Sequence, residues 1–367
     1  MNIVFRADAS IDIGTGHVVR CLTLADALRD RGGANCRFVS RACDGHLIDR
    51  VRARGYDVLP LAEPDVPTCR SNVVERARPA HAAWLATDFD TDGRQTAEAI
   101  GIAPIDWLVV DHYALDASWE SRLRARCRHL MVIDDLADRP HDCDLLLDQN
   151  LGRTVEDYAA LVPQGCEVLA GPRYALLRPE FAELRERALS RREAPNLGQL
   201  LITMGGVDKD DVTSRVLRAL RSVALPSDCR LIVVMGPSAP WLDTVRAVAH
   251  TLPWPTEVLV DVSDMARLMA EADLAIGAAG STSWERCCLG LPSLLVVLAD
   301  NQIRIADALE AFGASWTMRV DTLADDLRNF FSEGEAISLS LAGAARAARS
   351  VTEGDGASRV SQIMSGI

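Results

Sequence analysis

Apolar positions along this chain follow two spacings in turn. Short apolar runs at Ile3 to Arg6, Arg37 to Ser40, Tyr56 to Leu59, Trp107 to Asp111 and Leu130 to Ile133 read as strands buried on both faces. Between them, the stretches near 17–31, 45–54, 93–102 and 117–127 carry apolar residues at helical spacing. This alternation predicts a parallel sheet with helices on both faces. Two more short strands are expected, one within Asp142 to Asn150 and one over Glu167 to Gly171, before a charged helix from Ala182 to Arg192. The segment from Ala62 to about Ala83 is rich in Pro, Arg and Ala without a period, and reads as an irregular loop.

The pattern breaks at Ala194-Pro195-Asn196-Leu197-Gly198 and then begins again. A strand from Gln199 to Met204 runs into Gly205-Gly206, and a helix is expected from Asp211 to Val223. Strands at Leu231 to Met235, Glu257 to Val260 and Ser293 to Leu298 continue the alternation. The expected organisation is two similar open α/β domains, residues 1–194 and 195–367.

Chemistry concentrates where strands end. After the first strand comes Ile13-Gly14-Thr15-Gly16-His17-Val18-Val19-Arg20, in which Gly14 and Gly16 allow a tight turn into a helix. Unpaired N–H groups at that helix start favour an anion, and His17 stands in the first turn as the candidate base. Arg6 and Asp8 leave the same strand end, and Arg20 lies one helical turn past His17. Asp111-His112-Tyr113 and Asp134-Asp135 end two further strands on the same edge. Asp111 and Asp135 read equally well as caps of the helices that follow.

In the second half, Gly280-Ser281-Thr282-Ser283-Trp284-Glu285 opens a helix after a strand, a natural phosphate seat with Ser281 and Thr282 at its start. Glu285 suits two ribose hydroxyls, although local chemistry alone leans slightly to the glutamate of a capping box. Asn301 and Gln302 follow the next strand and border the same crevice.

Composition narrows the function. A net charge of -13 argues against a broad nucleic-acid footprint or an anionic membrane surface, while leaving room for a local basic pocket. Ten cysteines are scattered without any C-x-x-C pair and read as reduced thiols. The first residues enter a strand without a signal-like segment, and no apolar run approaches bilayer length. A cytoplasmic protein without a membrane or nucleic-acid partner is expected.

Six motifs together, in order, resemble those of the PseG family, the UDP-2,4-diacetamido-2,4,6-trideoxy-β-L-altropyranose hydrolases of pseudaminic acid biosynthesis. They are Phe5 to Ser10, Ile13 to Arg20, Asp111 to Tyr113, Gly171 to Phe181, Met204 to Asp208 and Gly280 to Glu285. The resemblance runs from about residue 3 to 316 and does not reach the tail after Thr317. It implies a GT-B-like fold, related to the MurG glycosyltransferase, with two Rossmann-like open parallel-sheet domains and an interdomain cleft for the nucleotide sugar. It further implies that His17 is the catalytic base, that Ser281 and Thr282 meet the diphosphate and that Glu285 meets the ribose. Met265 with Asp264 would lie near the uracil, Gly205 and Gly206 on the other side of the diphosphate, and Arg178 would approach from the hinge.

The expected reaction is water attack at the anomeric carbon with inversion, releasing UDP, with no cofactor and no required metal. Asp134-Asp135 is the one acidic pair that keeps a cation site open. Two other functions fit the same residues, namely a MurG-like transferase that uses a UDP-amino sugar and a non-catalytic nucleotide-sugar binding module. Neither the sugar nor the oligomeric state is specified by the sequence.

Overall fold

The computed structural model describes residues 1–62, 81–193, 196–237, 239–332 and 336–367. Most of the irregular segment expected at 62–83 therefore lies outside the described residues. The chain forms two compact units, Met1–Leu176 together with Gly356–Ile367, and Leu177–Asp355.

The first unit runs β1 (Asn2–Ala7), α1 (Gly16–Gly32), β2 (Asn35–Arg41), α2 (Ile48–Ala53), β3 (Asp57–Leu61), α3 (Phe89–Ile100), β4 (Ile105–Asp111), α4 (Ala117–Leu123), β5 (Cys127–Ile133), β6 (Leu145–Asp148) and β7 (Glu167–Ala170). Its seven strands lie in the order β3-β2-β1-β4-β5-β6-β7. Every pairing is parallel, and Ala7 stands opposite Asp111 between β1 and β4. Because strand side chains alternate, β1 serves two cores at once. Ile3 and Phe5 pack with Val18, Cys21, Leu22, Ala25 and Leu28 of α1, while Val4 packs with Val110 and Trp119 on the opposite face. The spacing of those α1 residues is that of one helix face. Gly33, at φ 60, ends the helix with its N–H on the Arg29 and Leu28 carbonyls.

The second unit contains α5 (Pro179–Arg191), β8 (Gln199–Thr203), α6 (Val212–Leu220), β9 (Arg230–Met235), α7 (Leu242–Ala249), β10 (Thr256–Val260), α8 (Met265–Glu271), β11 (Leu274–Ala278), α9 (Thr282–Cys288), β12 (Ser293–Val297), α10 (Ile303–Ala311), β13 (Ser315–Arg319), α11 (Leu323–Phe331) and α12 (Ala336–Arg349). Its sheet has the order β10-β9-β8-β11-β12-β13, again wholly parallel. The last helix, α13 (Gly356–Gly366), returns to the first unit, where Ala357, Val360 and Met364 share the core of α1.

Two expectations are corrected here. The division does not fall at 194/195, because the charged helix α5 belongs to the second unit: Arg191 pairs with Asp273 at 2.8 Å and buried Arg192 donates to the Met269 and Ala272 carbonyls. Nor is the tail wholly part of the second domain, since the apolar face of α13 is buried in the first. Among the described residues no helix is long and apolar enough to cross a membrane.

Candidate active site

In each sheet the strand order reverses direction next to the first strand of the unit, between β1 and β4 and between β8 and β11. Loops that leave such a switch point diverge to opposite faces and leave a crevice at the carboxyl ends of the strands. In the first unit these are the Asp8–Thr15 loop and the segment from Asp111. Ser10 shapes the former: its Oγ accepts from the Asp12 and Ile13 N–H groups, and its carbonyl accepts from Gly14 N–H at 2.8 Å. Gly14 holds φ 79, a conformation that side-chain-bearing residues rarely adopt. Helix α1 then starts at Gly16 with no side-chain cap and no acidic residue in its first turn.

His17, in that first turn, is 7% exposed, and its Nδ1 lies 2.6 Å from Asp111 Oδ1. Asp111 is fully buried and also accepts from Arg20 Nε at 2.6 Å and Arg20 Nη2 at 2.7 Å. Burial alone would raise the Asp111 carboxyl, but the Arg20 and His17 partners outweigh it and hold the group well below the ordinary carboxylate range. An ionised carboxylate only accepts hydrogen bonds, so Nδ1 carries a proton toward Asp111 and Nε2 is the nitrogen left to exchange one. No hydrogen bond engages Nε2 among the described residues. Arg20 Nη1 and the Tyr113 hydroxyl both donate to Asp135 Oδ2 at 2.6 Å. The Tyr113 ring stands edge-on to His17 with centroids 4.6 Å apart. The imidazole is thereby held from two sides.

Arg20 thus braces Asp111 instead of reaching outward, and both expected caps prove to be braces as well. Helix α4 is capped by Asp116, and the turn after β5 by Asp134, which accepts from the Leu136 and Ala137 N–H groups. Asp134 also pairs with Arg139 at 2.8 Å, so Asp134 and Asp135 both face protein donors.

Arg6, Asp8 and His112 are corrected from substrate contacts to buried structure. Arg6 pairs with Asp8 at 2.6 Å and with Asp92 at 2.7 Å, and all three side chains are inaccessible or nearly so. Arg41 Nη2 and Trp119 Nε1 also donate to Asp92, and the Arg41 backbone N–H donates to Asp8. His112 Nδ1 accepts from Ala114 N–H, and its Nε2 lies 3.3 Å from Asp8. Burial depresses the His112 imidazole despite that carboxylate, which keeps it neutral. Buried charges require such pairing, and these residues meet that need among themselves.

In the second unit, the turn after β11 brings Ser281 and Thr282 to the start of α9, half-buried and without a side-chain cap. Buried Arg286 ties the turn by donating to the Ala278 carbonyl and to Ser283 Oγ. Glu285 sits one residue too late for a capping box, because Trp284 occupies the third helical position. Its carboxylate has no hydrogen-bond partner among the described residues, and burial pushes it up to about 7 even though Arg178 and Arg286 pull the other way. Arg178 pairs with Glu180 at 2.9 Å and donates to the Ser263 carbonyl, beside the loop that leads to Met265.

Gly205, at φ 91, turns the chain after β8, and the carbonyl of Gly206 lies against Gly236 so closely that a Cβ there would overlap it. The α6 N-terminus is filled by the chain itself, since Asp208 accepts from the Val212 and Thr213 N–H groups at 2.9 Å each. Gln302 departs from its expected role, because its Oε1 accepts from Leu298 N–H and braces the end of β12. Asn301 is half-buried beside it.

Residues 199–360 match the glycosyltransferase family 28 C-terminal domain. The UDP-2,4-diacetamido-2,4,6-trideoxy-β-L-altropyranose hydrolase of Campylobacter jejuni is 27% identical over 305 residues, 82% of this chain and 93% of that protein. An uncharacterized protein of Methanocaldococcus jannaschii is 23% identical over 308 residues, and the matched region spans only 57% of its length. Among solved structures, MurG of Acinetobacter baumannii superposes with a TM-score of 0.69 at 17% identity, covering 100% of this chain and 99% of that one. The chain thus has the α/β GT-B fold, matches the family 28 C-terminal domain over residues 199–360, and is similar along most of its length to a PseG UDP-sugar hydrolase.

Proposed function

We propose that the protein hydrolyses a UDP-linked diacetamido-trideoxy hexose to free sugar and UDP, as part of pseudaminic acid biosynthesis in the cytoplasm. The observation that carries this reading is the 2.6 Å contact between His17 Nδ1 and the ionised Asp111, which fixes the ring and leaves Nε2 as the nitrogen that can take a proton. Nε2 takes a proton from water as the water oxygen bonds to the anomeric carbon. The bond from that carbon to the phosphate oxygen breaks with inversion, UDP leaves with the electron pair, and the imidazolium returns its proton to solvent. Ser281, Thr282 and Glu285 hold the nucleotide, with Glu285 accepting from the ribose hydroxyls, while Gly205, Gly206 and Arg178 complete its surroundings. The name of the Campylobacter relative supplies the substrate class.

Turnover of a panel of UDP-deoxyamino sugars in ¹⁸O-labelled water tests this. Label is expected in the sugar and none in UDP, with activity intact after EDTA treatment. Label in UDP, or activity restored only by a divalent cation, would overturn it. A transferase is the second reading, favoured by the family 28 domain itself. UDP release that depends on an added acceptor would establish that reading instead.

A further inference from the structure

Two aromatic rings beside His17 have no part in the network that orients it. His81 precedes, and Trp84 lies within, a short 3-10 turn, Ala82–Leu85, that comes before α3. Leu85 is fully buried in the core beneath the sheet and pins this turn, whereas Trp84 and His81 stay half-exposed. The Trp84 ring stacks on Tyr113 with centroids 5.7 Å apart and planes 21° apart. His81 lies 4.4 Å from Trp84 and 5.4 Å from Tyr113, centroid to centroid. Trp84 meets the His17 ring edge-on at 6.5 Å.

The other tryptophans of this unit behave differently. Trp107 and Trp119 are buried, and the indole N–H of Trp119 donates to Asp92. Leaving a large aromatic face partly in water beside an unengaged base forgoes stabilisation that burial would give, and a ligand that covers the face recovers it. Burial also holds the His81 imidazole below its ordinary range, which keeps the ring uncharged and the wall apolar.

We infer that Trp84 and His81 form the wall against which the sugar packs, receiving its acetamido and deoxy methyl groups and so selecting UDP-sugars with apolar substituents over fully hydroxylated ones. The inference rests on the hydrolase reading for its substrate class and not for its geometry. Hydroxyl groups pressed against these rings would lose water without gaining a partner, whereas methyl groups lose nothing.

The test compares the wild type with Trp84→Ala and Trp84→Phe on UDP-glucose, UDP-N-acetylglucosamine and a UDP-2,4-diacetamido-2,4,6-trideoxy hexose. Both KM and the binding affinity for each nucleotide sugar and for UDP alone are measured. In Trp84→Ala, KM for the diacetamido sugar is expected to rise about tenfold, with UDP affinity unchanged and preference over UDP-glucose reduced in step. Trp84→Phe keeps an aromatic face and should recover most of the loss. Equal affinity of the diacetamido nucleotide sugar for wild type and Trp84→Ala overturns the wall, whether or not hydrolysis occurs. A wild type that binds the sugar selectively yet releases no UDP overturns the hydrolase reading and leaves the wall standing.

Discussion

His17 and Asp111 stand 94 positions apart in the chain, yet a 2.6 Å contact between them decides which imidazole nitrogen is basic. Replacing Asp111 by Asn disturbs that choice. An amide presents one N–H face, and with Arg20 donating twice to this group, the NH2 turns toward His17 and forces the proton to Nε2. Asp111→Asn should lower kcat by about 10²- to 10⁴-fold, as His17→Ala should, with UDP affinity unchanged in both. Stopped assays and UDP titration check this, and a melting curve reports any cost from the unpaired Arg20 donor. Glu285 offers a second measurement. Its carboxyl is raised to about 7, so the neutral form is favoured below that pH, and the stability this lends is full below the ordinary carboxylate range and lost as pH rises from there to about 7. Ribose hydroxyls favour the ionised form. UDP affinity should therefore climb by up to about tenfold per pH unit below that value and then level, a step that Glu285→Gln removes while leaving the titration of UDP itself. An identical profile for both proteins would return Glu285 to a purely structural part. Residues such as these divide sharply in how visible they are in sequence. His17 is legible because it follows a local glycine turn, whereas the roles of Asp111, Arg6 and Asp8 depend on neighbours brought by α1, α3 and β2, which no local pattern records.

Elements were more legible than their edges. Alternating apolar runs predict the parallel strands of both units, because each is short and buried on both faces. Their limits moved where capping chemistry intervened. Helix α3 begins at Phe89, earlier than its apolar period suggests, because Asp88 accepts from Thr91 N–H. The helix expected to run to 127 stops at Leu123, passes through a 3-10 turn and yields Cys127 to β5. Loops after adjacent strands also constrain one another. Gly236, which follows β9, leaves space for the Gly206 carbonyl, so Gly236→Ala would push on the turn after β8. Backbone cannot yield as a flexible side chain does, and a loss of about 1–3 kcal/mol in stability is expected, read as a lower melting temperature. UDP affinity should fall with it if the Gly205–Gly206 turn borders the nucleotide. Unchanged melting would show that the turn shifts freely.

At the scale of the molecule, the two-unit plan could be read from the repeated strand-turn-helix pattern, but the assignment of α5 and α13 could not. Both helices are amphipathic, and an apolar face announces that it will be buried without saying against which core. Removing residues 356–367 should expose the side of α1 that Val360 and Met364 cover, each worth about 1.5–3 kcal/mol of burial. Limited proteolysis of the shortened chain is expected to cut the first unit while the second stays intact, and equal resistance of both would refute the dependence. The same helix sets an order in time. A ribosome delivers the first 176 residues long before α13 exists, so the unit that begins synthesis first is the last to be completed, and the second unit can finish folding while the first still waits for its final helix. A nascent chain arrested before residue 356 emerges would therefore hold a finished second unit downstream of an unfinished first one, reversing the usual order of maturation from the amino end.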